Sequence, residues 1–221
     1  MTEQITEIVY IPLKPDLDLD AGDARRVWDA SLATIAKQPG LRKLFWGRQI
    51  EDKNTLQLVQ EWDSLASHRA FEASADFPDF LLQMQTHLFA AYPPILHARL
   101  LPRDDWTPLR QPVTECVSAY FAADYPQEAY SADFATFRSE ALRIPDAGVR
   151  GIVGGWSPEG ATHEGLGEGV EGKRFVAFLG WESVEAHRAF RETEAGVGVI
   201  GHLRAGTKGV RVWHVGFKEY K

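Results

Sequence analysis

Histidines at repeated spacings are the residues through which this sequence could do chemistry. His68 lies in Trp62-Asp-Ser-Leu-Ala-Ser-His-Arg-Ala-Phe71, and His187 in Trp181-Glu-Ser-Val-Glu-Ala-His-Arg-Ala-Phe190. At 100° per residue, His68 falls on the apolar face of its helix between Leu65 and Phe71, and Val184, His187 and Phe190 repeat the pattern. A histidine in the first helical turn meets a dipole that disfavours its charged form. A neutral imidazole in an apolar pocket can take or give a proton, or polarise a carbonyl. The plainer alternative is a buried histidine kept for packing. His97, in Ile95-Leu-His-Ala-Arg99, and His214, in Trp213-His-Val215, form a second pair on the last strands. Their direction depends on register, because a one-residue slip reverses the face. Tyr10, matched by Ser118 in the second half, carries a phenol that could donate a proton or bind an oxyanion.

Aromatic residues are the next signal. Trp28, Trp46, Trp62, Trp156, Trp181 and Trp213 fall inside elements, and Trp106 in a linker. Trp62 and Trp181 are equivalent, which favours a structural role. Trp46 is matched by Gly154, so the fold does not require it. The candidate substrate contacts are Trp46, Trp62, Trp181, Trp156, Phe190, Phe175 and His97, around His187, His68, His214 and Tyr10 as candidate catalytic groups. Leu44-Phe45-Trp46-Gly47 becomes Ile152-Val-Gly-Gly155, and Leu58 becomes Ala177. The second half is therefore expected to hold the accessible pocket, with room from Ser118, Ala119, Gly154, Gly155 and Ala177 and the 157–173 loop as a lid. Compensatory repacking by Trp156, Phe175 and Phe178 is the alternative.

Other chemistries are poorly served. His163 and Glu164 sit in a loop and His87 stands alone on a helix, so no spacing suggests zinc or two-histidine iron. The run Gly160–Gly172 carries three glutamates, lacks the phosphate-loop lysine pattern and precedes no helix. The single cysteine, Cys116, excludes an internal disulfide and reads as a buried strand residue.

The elements that must position these residues come twice. Thr6-Glu7 recurs as Thr114-Glu115, and Gly40-Leu-Arg42 as Gly148-Val-Arg150. The offset widens downstream through an insertion in the glycine-rich stretch Ser157–Lys173. The chain thus reads as a tandem duplication, 1–107 and 108–221, joined by the polar, proline-punctuated run 102–112. Strands are expected at 5–13 and 114–122, and helices at 23–37 and 131–144. Hairpins follow at 41–50/55–62 and 149–157/174–181, then helices capped by Ser64 and Ser183, and last strands at 95–101 and 209–217. Each half is β-α-β-β-α-β, the ferredoxin-like topology, in the α+β class. Two bare sheet faces in one chain can pack sheet to sheet as an intramolecular α/β barrel. The expected assembly is a monomeric pseudo-dimer, open to further homodimerisation.

Composition narrows the function classes. The chain has 221 residues with 44% hydrophobic and 11% aromatic, enough for a core and against disorder. A net charge of −7 argues against a nucleic-acid partner. The absence of a long apolar window argues against a membrane span, and Met-Thr-Glu-Gln-Ile-Thr-Glu does not read as a secretory signal. The expected location is cytoplasmic.

The third-strand Trp followed by Ser-x-x-x-His-x-x-Phe resembles the dimeric α/β-barrel superfamily, in particular its antibiotic-biosynthesis-monooxygenase-like branch. The residues that carry the resemblance are Trp62, His68 and Phe71, and Trp181, His187 and Phe190. It implies an aromatic-lined pocket between helices and sheet. It also implies a cofactor-independent enzyme of secondary metabolism acting on an apolar, oxygenated, aromatic or polyketide-like metabolite. A cyclase, isomerase, lyase or monooxygenase would fit, with a pocket histidine as general acid or base. The alternatives are a haem- or ligand-binding protein without turnover and a non-catalytic stress-type barrel protein.

Overall fold

The structure is a computed structural model that describes residues 3–221. Its contacts divide the chain into two compact units, one running to His97 and including Lys218–Lys221, the other Ala98–Phe217. The division lies earlier than the expected 107/108 boundary. The expected linker folds into the second unit instead, with Trp106 and Leu109 buried. A 3-10 turn at Pro108–Arg110 packs against Gly180, where an added Cβ would stand 2.8 Å from Pro108 Cα.

The first unit runs β1 (Ile5–Pro12), α1 (Gly22–Ala36), β2 (Leu41–Arg48), β3 (Thr55–Trp62), α2 (Leu65–Glu72), α3 (Phe77–His87) and β4 (Ile95–Ala98). The second runs β5 (Val113–Phe121), α4 (Gln127–Ala141), β6 (Val149–Trp156), β7 (Ala161–Thr162), β8 (Glu171–Trp181), α5 (Val184–Glu192), α6 (Glu194–Arg204) and β9 (Gly209–Val215). A final strand, β10 (Lys218–Glu219), pairs with β2. The sheets are ordered β10-β2-β3-β1-β4 and β6-β8-β5-β9, with β7 paired to β8. The ferredoxin-like pattern is thus present twice, with each second helix broken in two. The last strands are shorter than expected, ending at Ala98 and Val215.

Side chains alternate across a strand, so register decides what faces the helices. In β1, Ile5 pairs with Trp62, Glu7 with Gln60 and Val9 with Leu58. Ile5, Val9 and Ile11 pack with Trp28, Leu32, Ile35 and Phe71 in the first core. Val117, Ala119 and Phe121 pack with Phe134, Phe137 and Phe190 in the second. Glu7 and Glu115 therefore lie on helix-facing surfaces. Ser64 and Ser183 cap the following helices as expected, each Oγ accepting a backbone N–H at 3.1 Å.

Two expectations about room in the second half are corrected. A Cβ on Gly154 would lie 2.6 Å from Phe134 and 2.7 Å from Phe175, so those rings already fill the space. A Cβ on Gly155 would lie 1.9 Å from the Arg99 carbonyl oxygen, because 99–101 runs along β6. The 157–173 loop is a hairpin, held where His163 stacks on Tyr120 at 4.4 Å. Gly155→Ala should destabilise the protein by about 1–3 kcal/mol. Gly198→Ala, with nothing within 4 Å of its Cβ in α6, should be neutral or stabilising by roughly 0.5–1 kcal/mol. Urea melts of both variants check the contrast, and a harmless Gly155→Ala would contradict the close packing.

Candidate active site

Each unit builds the same buried cluster from four side chains. In the first, the Trp62 Nε1–H donates to Glu7 Oε2 at 2.9 Å. His68 Nε2 stands 3.3 Å from that oxygen, and His68 Nδ1 is hydrogen-bonded to His97 Nε2 at 3.0 Å. In the second, the Trp181 Nε1–H donates to Glu115 Oε2 at 3.0 Å. His187 Nε2 lies 3.3 Å from Glu115 Oε1, and His187 Nδ1 is 2.8 Å from His214 Nε2. Glu7, Glu115, His68 and His187 are each 4% exposed. Local structure explains the coincidence. The tryptophan ends a strand, a serine-capped helix starts just after it, and one turn later the histidine faces the neighbouring strand. Register completes the cluster, since Glu115 pairs directly with His214 across β5 and β9.

Burial dominates the electrostatics. It raises Glu7 to about 7, against the Trp62 hydrogen bond and His97, which lower it, and with Glu72, which adds to the rise. It likewise raises Glu115 to about 7, against the Trp181 hydrogen bond and the Arg191 charge. His68 is lowered to about 4, first by burial and then by His97 and Arg69. The expectation credited the helix dipole, but desolvation is the largest cause. His68 is therefore neutral where Glu7 ionises, and their contact is not an ion pair at neutral pH. Two proton arrangements fit the heavy atoms. A protonated carboxyl would donate to Nε2, with Nδ1–H donating to the second histidine. A carboxylate would accept from Nε2–H, with Nδ1 accepting in turn. Shifting one proton along each of the two hydrogen bonds reverses the chain of donors.

The cavities beside the clusters differ. In the second unit, Glu115, Trp181 and His187 form the polar end of a cavity of about 200 Å³ walled by Phe137, Leu179, Phe190 and Leu203. In the first unit, Glu7, Gln60 and His68 border only about 60 Å³. An apolar cavity of about 150 Å³ accommodates benzene, so only the second has room for a ring. The difference comes from the helices. α3 sends Phe77, Phe80, Leu81 and Met84 into its cavity, whereas α6 borders the second cavity with Ile200, Leu203 and Arg204. An open groove of about 590 Å³ between α1 and α3 reaches none of the clustered residues.

The structure brings together His68, His97 and Trp62, and His187, His214 and Trp181, and places Phe190 on the cavity wall. It leaves the other candidates apart. Tyr10 alternates with Val9 and Ile11 and so lies on the sheet face away from Glu7. Trp46 packs edge-on against Trp28 at 5.4 Å, under Lys218 Nζ, outside the cavity lining. Trp156 donates to Ser131 Oγ at 3.0 Å, and it joins Phe175, Tyr130 and Phe121 in an aromatic cluster away from the cavity. The sequence reading missed Glu7 and Glu115. Their signal was present in the repeated Thr-Glu pair.

Residues 5–81 match the family model described as antibiotic biosynthesis monooxygenase. That stretch includes Glu7, Trp62 and His68. The antibiotic biosynthesis monooxygenase resemblance read from the Trp–His–Phe motif thus holds over the first unit. Whole-chain structural likeness extends the fold to both units. A candidate monooxygenase from Lactobacillus acidophilus NCFM is 9% identical with a TM-score of 0.66, covering 99% of this chain and 96% of that one. A candidate monooxygenase from Fusobacterium nucleatum is 8% identical at 0.63, covering 100% and 95%. An anthrone oxidase-like protein is 14% identical at 0.68, covering 98% and 93%. At these identities the likeness is one of fold. A search of the curated proteins found no match.

The raised carboxyl has a thermodynamic signature. A folded pKa near 7 against 4.5 for the free group means that the folded chain holds the extra proton, so stability falls as pH rises through that window. Glu115→Gln mimics the protonated form. It should raise Tm at pH 8 by about 3 °C or more and have much less effect below pH 5. An unchanged or lower Tm at pH 8 would contradict an ionisable Glu115 held in an apolar site. In an NMR titration, the His68 ring should stay neutral until pH approaches 4.

Proposed function

We propose that the second unit is a small-molecule enzyme in which Glu115, His187 and His214 work as one acid–base chain on an apolar, oxygenated substrate. The observation that carries this reading is a buried carboxyl held near 7, in contact with a histidine, at the polar end of a cavity large enough for one ring. A group titrating close to working pH is the effective one for proton transfer. His187 or Glu115 takes an acidic O–H or C–H proton from the substrate, and His214 receives or returns it along the chain. The enolate or phenolate so formed is the species that isomerises, eliminates or reacts with dioxygen. Dioxygen chemistry is the route favoured by the family match. The cavity volume favours single-ring substrates over fused polyketides.

This reading calls on no cofactor. Haem suits these residues poorly: His187 Nδ1 is bonded to His214 and Nε2 faces Glu115, which leaves no nitrogen directed at an iron. The cavity is also smaller than the roughly 300–1,000 Å³ of ordinary ligand and cofactor pockets. The first unit, with its small cavity, is read as the structural copy.

A screen of phenols, quinols and enolisable ketones, read by dioxygen uptake and product analysis, supplies the assay. Glu115→Gln and His187→Ala should each lower kcat by about 10²-fold or more. Glu7→Gln and His68→Ala should change stability and leave kcat within about twofold. Equal losses from both units, with folding intact, would defeat the single-site reading. A Soret band on adding haemin, shifted by His187→Ala, would favour the ligand-binding alternative.

A further inference from the structure

The two copies of the cluster differ by one reversal of charge. One helical turn after the histidine, on the same helix face, the first unit has Glu72 and the second has Arg191. Glu72 Oε1 lies 3.8 Å from His68 Nε2, and its charge raises Glu7. Arg191 lines the second cavity, and its charge lowers Glu115. Arg204, the last residue of α6, lines the same cavity. Both arginines are exposed and therefore belong to the rim, beside the exposed Val210 and Val212 of the edge strand β9. Among the described residues, neither is within ion-pairing distance of a carboxylate.

We propose that the second cavity takes an anionic substrate, a single-ring carboxylic acid, with its carboxylate between Arg191 and Arg204 at the rim and its ring inside. The inference rests on reading this cavity as the substrate site, and it adds the substrate's charge and polarity. A guanidinium binds carboxylate in a fixed, bidentate geometry, and two at one rim select for charge as well as shape. The ring would lie against Phe137, Leu179, Phe190 and Leu203, within a volume slightly above that needed for benzene. This orientation points the ring's inner edge at His187 and Glu115. Glu72 gives the first unit the opposite preference, so an anion has one site per chain.

Calorimetric titration of the full chain with benzoate and with benzamide, its neutral isostere, tests this without turnover. Benzoate should bind with one site per chain, at least tenfold more tightly than benzamide. Arg191→Gln and Arg204→Gln should each weaken benzoate by about tenfold while leaving benzamide unchanged, and Arg191→Glu should abolish benzoate binding. Arg188→Gln, an exposed arginine on the same helix, should have no effect. Equal affinity for the two probes, benzoate binding indifferent to both arginines, or no binding of either probe would overturn the proposal. Glu115→Gln separates it from the acid–base reading. Retained benzoate binding with lost turnover supports both. Charge selectivity that fails while Glu115→Gln still abolishes turnover defeats only the charge assignment. Selectivity that holds while Glu115→Gln keeps full turnover defeats only the acid–base reading.

Discussion

A carboxyl group buried on the helix-facing side of a β-sheet is the constraint around which each unit is arranged. Removing an ionised carboxylate from water costs several kcal/mol unless partners compensate, and a buried group otherwise keeps its proton. Glu7 and Glu115 are partly compensated. Each accepts one indole N–H and faces one imidazole, and burial still outweighs these contacts. The result is a group balanced between two protonation states near neutrality. The tryptophan and the histidine that hold it are consecutive features of one local motif, a strand end followed by a capped helix. The last-strand histidine then satisfies the far ring nitrogen. Each of these four side chains finds a polar partner in another member of the cluster.

Two copies of that cluster have had different fates. In the first unit, the aromatic and aliphatic side chains of α3 close over Glu7 and His68, and the cluster is nearly sealed. In the second, α6, a helix with three glycines, borders the cavity through Ile200, Leu203 and Arg204, and space of ring size remains above the same groups. The helix also loses intrinsic stability, since a glycine in a helix interior costs about 1 kcal/mol relative to alanine. A group that weakens the fold when ionised, set in a cavity beneath a poor helix, is the usual physical profile of a working site. The sealed copy keeps the polar cluster as part of its core.

The sheet keeps the cluster rigid, while the helices decide access and charge. Glu115 and His214 are cross-strand neighbours, so their separation is set by the ladder rather than by side-chain flexibility. Arg191, Leu203 and Arg204 come from helices whose side chains can vary without disturbing that ladder. Duplication within one chain allows such variation in one copy while the other retains the architecture.

The sequence alone determined the duplication, the β-α-β-β-α-β order, the capped helices and the burial of His68 and His187. Each of these follows from local periodicity or from a repeat visible along the chain. The glutamates were visible only as a repeated dipeptide, because a strand residue's partners lie on other strands and helices. The faces of Tyr10, His97 and His214 waited on register, since one residue's shift exchanges the two sides of a sheet. Comparing strands placed the extra room at Gly154 and Gly155, yet Phe134, Phe175 and the Arg99 backbone occupy it. The cavity instead opens at α6, because a void is the space left by every neighbouring element together. Only the tertiary structure could decide that, for packing volume is not a property of any one segment.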